Sequence, residues 1–320
     1  MAGPTDVAEA AGYRPLLFSI AYGMTGSVGD AEDLVQDTFL NLTRAEQAGT
    51  TVTNLKAYLT TSVTRLGINH LDSARVRRER YVGEWLPEPV VAFAERPDDA
   101  PAEHAELADS LSMAFLLMLE ALSPVERAVF LLREALGYGY PEVARLTGKS
   151  EANCRQILAR ARKHLAAGAN APADSAADSA AAPGRRAEGD ELARRFFEVA
   201  DGGDLSQLLG LLAPDVVFHG DGGGKGQSVG KAVTGLERVL RVLAFGFERN
   251  RELGITRRLA LVNGRPGAVS YDPQGRVVSV LELHVVDGAI RALHAVSNPD
   301  KLAHLGEVSD LGLRQRPRER

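Results

Sequence analysis

Residues 166–190 read AAGANAPADSAADSAAAPGRRAEGD. Alanine, serine, aspartate, glycine and proline without apolar periodicity cannot bury a core, so this stretch divides the chain as a flexible linker. As a coil of about 20 residues, its ends would lie on the order of 25 Å apart. A second break, GEWLPEPVVAFAERPDDAPAEHAE at 83–106, is rich in proline and acid, which interrupts helices and keeps the backbone extended. The breaks leave three blocks, 1–82, 107–165 and 191–306, with a polar tail at 307–320 that turns basic at its end. A chain of 320 residues suits several domains, each with its own core, and no internal repeat is present.

Charge narrows the function classes. A net charge of −5 excludes a uniformly basic nucleic-acid binder and moves the question to local patches. The single cysteine, Cys154, excludes an internal disulfide and a cysteine-based metal cluster, and fits a reducing cytoplasm. Asp6 and Glu9 leave no basic-then-apolar leader. The longest apolar run, MAFLLMLEAL at 113–122, is interrupted by Glu120 and too short to span a bilayer. The expectation is a cytoplasmic protein without membrane contact. Histidines and acids are too scattered in spacing for a metal site, and no cofactor is expected.

The first two blocks read as helical. In GDAEDLVQDTFLNL (29–42), Asp30 is a candidate N-cap with Asp33 near the third helical position. At 100° per residue, Ala31, Leu34, Val35, Thr38 and Leu42 gather on one side. Asp30, Asp33 and Asp37 line the adjoining face, with Gln36 beyond. That face is either solvated acid or a docking surface for a basic partner helix. Residues 55–81 begin as a helix with Leu55, Tyr58, Leu59, Val63, Leu66 and Leu71 apolar, and end in Arg75, Arg77, Arg78 and Arg80. The helix dipole accounts for one or two of these arginines; four together point to an anionic partner, for which phosphate backbone is the natural candidate.

YPEVARLTGKSEANCRQILARARKHL (140–165) fits helix, turn, helix. Pro141 suits a first helical turn, Val143, Ala144 and Leu146 supply packing, Gly148 permits the turn, and Ser150 caps the second helix. Cys154, Leu158, Ala161 and Leu165 form its buried stripe, which makes Cys154 a small core residue. Outward lie Glu151, Asn153, Arg155 and Gln156 near the start, then Arg160, Arg162 and Lys163. DNA recognition needs that division: early polar side chains reach base edges and later cations meet phosphates. Helical hairpins of other kinds share the pattern.

The third block changes texture. ELARRFFEVADGGDLSQLLGLLAPDVVFHGDGGGK reads helix, turn, helix, then a strand ending in glycines, and 235–248 reads as another helix. Strands follow, separated by the hairpin signals NGRPG, DPQG and VDGA. Helices followed by a meandering antiparallel sheet give an α+β domain.

In combination and in order, YRPLLFSIAYGMTGSVGDAEDLVQDTFLNL, AYLTTSVTRLGINHLDSARVRRERY and LSPVERAVFLLREALGYGYPEVARLTGKSEANCRQILARARKHL resemble the extracytoplasmic-function sigma factors of bacterial RNA polymerase over 13–165. The resemblance implies two all-α domains, at 1–82 and 107–165, the second a helix-turn-helix. It implies that Asp30, Glu32, Asp33, Gln36 and Asp37 meet the β′ clamp helices of core RNA polymerase, with the β flap as a further contact. Arg65, Asn69, His70, Arg75, Arg77, Arg78 and Arg80 would recognise and open the −10 element. Lys149, Glu151, Asn153, Arg155, Gln156, Arg160, Arg162 and Lys163 would serve the −35 element. WLPEP (Trp85, Leu86, Pro87, Glu88, Pro89), DGGGK (Asp221, Gly222, Gly223, Gly224, Lys225) and NPDKL (Asn298, Pro299, Asp300, Lys301, Leu302) look like signature motifs of the sigma-factor group with a fused SnoaL-like domain of NTF2-like cone fold. In that group the fused domain is thought to regulate the sigma factor in place of a separate anti-sigma protein. Gly67 departs from the pattern within the −10 helix and predicts a loosened helix.

Three function classes follow. The favoured one is an initiation factor that binds polymerase and promoter DNA and carries a cis-acting regulatory domain, with a small-molecule ligand of that domain left open. A SnoaL-like cyclase or isomerase is the second, with His219, Asp221, His284 and His294 aimed into a pocket by strand parity. Against it, no paired carboxylates or triad stand out, His284 and His294 read as surface or edge residues, and no residue is assigned a catalytic role. The third, a ligand-responsive helix-turn-helix repressor, leaves 30–42 and 64–80 unexplained. DGGGK precedes no helix start, so it gives no nucleotide site.

Overall fold

A computed structural model describes residues 7–78, 81–93, 111–167, 183–202 and 205–313. The chain divides into two compact units: Met1–Arg80 with Glu106–Ser179, and Tyr81–Ala105 with Ala180–Arg320. The two helical blocks therefore share one unit, and the proline-rich stretch belongs with the C-terminal block.

In the first unit, α1 (Val7–Ala11), α2 (Arg14–Thr25), α3 (Val28–Gln47) and α4 (Leu55–Arg78) come first. The cap of α3 is Ser27, not Asp30: Ser27 takes extended backbone and its hydroxyl accepts from the Asp30 amide at 3.1 Å, which places Asp30 at the third helical position. Ala31, Leu34, Val35, Thr38 and Leu42 are the buried stripe expected. Helix α4 runs unbroken through Gly67, contrary to the loosening expected there. A Cβ at Gly67 would lie 3.3 Å from Met24 Cγ, so the glycine serves the close approach of α4 to α2.

Next come α5 (Met113–Leu119), α6 (Pro124–Phe130) with a π turn (Leu131–Ala135), α7 (Tyr140–Thr147) and α8 (Glu151–Ala167). Gly148 closes α7 in the left-handed region (φ 69), and the Ser150 hydroxyl accepts from the Asn153 amide at 3.2 Å to open α8. Cys154, Ile157, Leu158 and Ala161 are buried and Leu165 half-buried. The two helical sets pack on each other. A Cβ at Gly23 would meet Leu131 Cδ2 at 2.7 Å, and buried Arg127 donates to the Met24 carbonyl (2.7 Å) while pairing with Glu120 (2.7 Å).

The second unit contains β1 (Val91–Ala92), α9 (Pro183–Gly202), β2 (Leu212–Asp221), β3 (Val233–Thr234), α10 (Leu236–Glu252), β4 (Thr256–Val262), β5 (Arg265–Tyr271), β6 (Val277–Val286), β7 (Ala289–Val296) and α11 (Pro299–Leu302). The sheet order is β1-β4-β5-β6-β7-β2-β3. From β4 to β7 it is the antiparallel meander expected, with Asn263-Gly264 and Asp287-Gly288 at positive φ in the two tight hairpins. Two joins were not expected: β2 pairs with β7 in parallel, and β1 adds the proline-rich stretch to the far edge. The second helix read before β2 is a short 3-10 turn, Leu205–Gly210.

Helix α9 begins at Pro183, inside the stretch read as a linker; residues 168–182 lie outside the described residues. Ala193, Phe196, Phe197 and Ala200 on α9 pack with Val239, Leu243 and Phe247 of α10 against the sheet. The segment beyond 306 is not wholly a tail. Val277 donates to the Glu307 carbonyl at 2.8 Å, and the buried Ser309 hydroxyl donates to Asp272 at 2.6 Å.

Candidate functional site

The acidic face of α3 presents Asp33, Gln36 and Asp37 to solvent, with Asp30 and Glu32 half-buried. Glu32 pairs with Arg14, and Asp30 lies 3.2 Å from His70 Nε2 on α4. His70, grouped in the sequence with a nucleic-acid surface, thus meets a residue grouped with a protein surface. Arg65 and Asn69 are exposed on α4. Arg75, Arg77 and Arg78 lie in its last turns by backbone, their side chains outside what is described, and Arg80 lies outside the described residues.

On α8 the outward residues are where the pattern put them. Lys149, Arg155, Gln156, Arg160, Arg162 and Lys163 are exposed, and Glu151 and Asn153 are half-buried. Three contacts fix directions. Arg155 pairs with Glu151 (3.1 Å) and stands 4.7 Å over the Tyr140 ring, while Arg162 pairs with Glu134 (3.1 Å). Tyr140 belongs to the first helix of the hairpin, so it holds Arg155 across the turn.

In the second unit, the sequence motifs converge. Residues 81–92 lie along the sheet domain, and WLPEP packs with Leu86, Pro87 and Pro89 buried and Trp85 and Glu88 half-buried. Asp221, at the end of β2, is the hub. It accepts from the Tyr81 hydroxyl, the Leu86 amide (2.8 Å) and the Gly223 amide (3.0 Å), and pairs with Lys301 Nζ at 2.6 Å. Lys301 is also buried. Its ammonium donates to the Leu86 carbonyl and lies 4.2 Å from the Trp85 ring centroid and 4.8 Å from that of Tyr81. Burial, then the hydrogen bond to the Asp221 carboxylate, raises the Tyr81 phenol above its ordinary value.

NPDKL builds this hub by capping its own helix. The Asn298 side chain accepts from the Asp300 amide (3.1 Å) to start α11 and donates to the Tyr81 hydroxyl (2.8 Å), and α11 carries Lys301 and buried Leu302. Pro299 is the first residue of that turn of helix, and Lys225 reaches Asp300 at 2.6 Å on the surface. The glycines of DGGGK answer to crowding. Gly223 sits at φ 56, and a Cβ there would fall 2.3 Å from the Asn298 side chain. A Cβ at Gly222 would meet the Gly226 carbonyl oxygen at 2.5 Å, and one at Gly224 would meet Val82 at 3.1 Å.

Residues outside the motifs complete the seat. Glu84 Oε1 lies 2.6 Å from His219 Nδ1, and His219 stacks on His294, which bonds buried Glu282. His304 donates to the Pro89 carbonyl (2.8 Å), and Val90 and Asn263 exchange bonds at 3.1 and 2.8 Å before β1 joins β4. His284 and His294 are buried rather than at a surface or edge, and none of His219, Asp221, His284 and His294 lines the cavity beside α10. Tyr81, Glu84, Asn263 and His304 were missed in the sequence. Only Asn263, in an Asn-Gly turn, carried a local signal, and that signal was for the turn.

Family profiles described as Sigma-70 region 2, Sigma-70 region 4 and SnoaL-like domain match residues 10–77, 112–165 and 193–295. ECF RNA polymerase sigma factor SigJ of Mycobacterium tuberculosis is 37% identical over 304 residues, covering 92% of this chain and 93% of that protein. Probable ECF RNA polymerase sigma factor SigI of the same species is 29% identical over 294 residues, covering 91% of this chain and 92% of that one. The crystal structure of M. tuberculosis SigJ superposes with a TM-score of 0.72 at 34% identity, covering 93% of this chain and 98% of that chain. The chain therefore belongs to the ECF RNA polymerase sigma factors, transcription initiation factors rather than enzymes, which bind core RNA polymerase and promoter DNA, and it carries a C-terminal SnoaL-like domain.

Proposed function

We propose that the SnoaL-like domain regulates this sigma factor in cis by holding residues 81–92 in the Asp221–Lys301 seat. The observation that carries this reading is that WLPEP, DGGGK and NPDKL, far apart in sequence, meet through one buried ion pair that also binds the linker backbone at Leu86. Tyr81 follows the last residue of α4, Arg78, by three positions, so seating the linker restrains the basic end of that helix. The packing of α2 on α6 through Arg127, and on the π turn through Gly23 and Leu131, is the arrangement that must open for the two helical sets to reach separate promoter elements. The factor works in the cytoplasm with its polymerase.

The remaining assignments follow the same reading. The exposed acids Asp33 and Asp37, with Asp30, Glu32 and Gln36 beside them, form the surface for the β′ clamp helices, and the second helical set faces the β flap. Arg65, Asn69, His70 and the arginines ending α4 serve the −10 element. The N-terminal half of α8 reads the −35 element and its later cations meet phosphate. Run-off transcription with core polymerase tests the regulatory part: Trp85→Ala, which removes the nearer of the two aromatic rings around Lys301, changes promoter output. Output equal to wild type, from a folded variant with released linker, would falsify the latch.

A further inference from the structure

Tyr140, the first residue of α7, has its backbone fixed on both sides. Before it, Arg133 of the π turn donates to the Tyr138 carbonyl (2.9 Å), and the Gly139 amide donates to the Glu142 carboxylate (3.0 Å). After it, Pro141 sets the first turn of the helix. The half-buried ring is therefore a fixed platform.

Two cations meet on this ring. The guanidinium carbon of Arg155 lies 4.7 Å from its centroid and that of Arg133 lies 4.9 Å away. Arg133 is half-buried and engaged with the Tyr138 carbonyl. Arg155 is exposed, and its Nη2 donates to Glu151 at 3.1 Å. That ion pair is a weak restraint, because an exposed pair gains little in water and salt screens it. It also occupies a donor that a base would need. The ring contact occupies none: it engages the charge of the guanidinium and leaves the N–H groups for DNA. Reading a base asks more of Arg155 than binding a phosphate does. The two acceptors of a guanine edge must meet two N–H groups of one fork, so the guanidinium has to arrive in one orientation. Ordering it beforehand reduces the rotamer freedom lost on binding.

We propose that Tyr140 is a positioning residue that sets base specificity at the upstream element, by holding Arg155 for bidentate contact with a guanine edge. The proposal rests on the reading in which the N-terminal half of α8 contacts the −35 bases.

The test uses holoenzyme, the full chain with core polymerase, on duplex DNA randomised across the upstream element and sequenced before and after retention. Arg155→Ala flattens the guanine preference at one position, which identifies the base it reads. Tyr140→Leu lowers the preference at that position about threefold, the scale of an exposed cation–π contact, and leaves the other positions as in wild type. Tyr140→Phe keeps the wild-type preference, since the ring face remains without the hydroxyl. In the Arg155→Ala background, Tyr140→Leu changes no position further. Tyr140→Met gives the same comparison if circular dichroism shows Tyr140→Leu unfolded. An unchanged preference in Tyr140→Leu, a loss of retention shared by all sequences, or a Tyr140→Phe that behaves as Tyr140→Leu overturns the proposal and leaves the base reading intact. No guanine preference lost in Arg155→Ala overturns the base reading itself, and the proposal with it.

Discussion

Asp221 and Lys301 are both buried and 2.6 Å apart, and each also binds the backbone of Leu86. A buried pair of this kind adds little net stability over an apolar equivalent, but removing one member strands the other charge. Asp221→Ala is therefore expected to destabilise the second unit by about 3–5 kcal/mol, read from denaturant unfolding. Trp85 is the sole tryptophan of the chain, so the same variant reports linker release directly as a red shift of intrinsic emission. Unshifted emission would separate the ion pair from the linker. Asp272 gives a second residue-level expectation. Burial pushes its carboxyl up, but Ser309 and Arg276 outweigh that and hold it at about 2. A depressed acid contributes stability above its unfolded value, near 4, and loses it as pH falls towards 2. Unfolding midpoints measured from pH 5 to pH 2.5 should fall less steeply in Asp272→Asn than in wild type.

At the scale of elements, α8 divides its work along its length. Arg155, held over Tyr140, sits in the half placed to read bases, and its replacement by alanine should change the ranking of upstream-element variants by about 1–3 kcal/mol per lost contact. Replacing Arg160 or Lys163 should weaken every promoter alike and flatten the salt dependence, measured by fluorescence anisotropy of labelled DNA with the holoenzyme. On α3, Asp33→Lys with Asp37→Lys puts like charge on the exposed face and should abolish capture of core polymerase, while the buried stripe keeps the helix folded. These helices were legible because their signals are local. The α3 stripe repeats at helical spacing, Gly148 and Ser150 mark a turn and a cap, and Asn-Gly and Asp-Gly announce hairpins. Local reading failed where a stronger neighbour or a distant partner decides. Ser27 outcompeted Asp30 as a cap because it takes extended backbone one residue before the helix. Residues 91–92 became a strand only because β4 offered an edge. DGGGK and NPDKL were recognisable as motifs, but Tyr81 and Glu84 gain meaning only from Asp221 and His219, more than a hundred residues away.

At the scale of the molecule, the latch predicts that three truncations behave differently. Ending the chain after 306 keeps Lys301 and the linker seat but removes Ser309 from Asp272, so stability should fall while transcription stays near wild type. Ending it after 298 removes Lys301 and buried Leu302 as well, leaves Asp221 without its ammonium, and frees the linker. Promoter-dependent run-off should then rise, because the basic end of α4 is no longer tied through Tyr81. Ending it after 167 removes the domain altogether and leaves Trp85 and the prolines of WLPEP without a seat. If the domain both restrains the helical unit and supports the linker, this form should transcribe less than the 298 truncation. A single ordering, 298 above 306 and 298 above 167, carries the argument, with Trp85 emission confirming release wherever output rises. Equal output from all three, each shown to be folded in its helical unit by circular dichroism, would make the SnoaL-like domain a passenger and leave the Asp221–Lys301 pair a matter of stability alone.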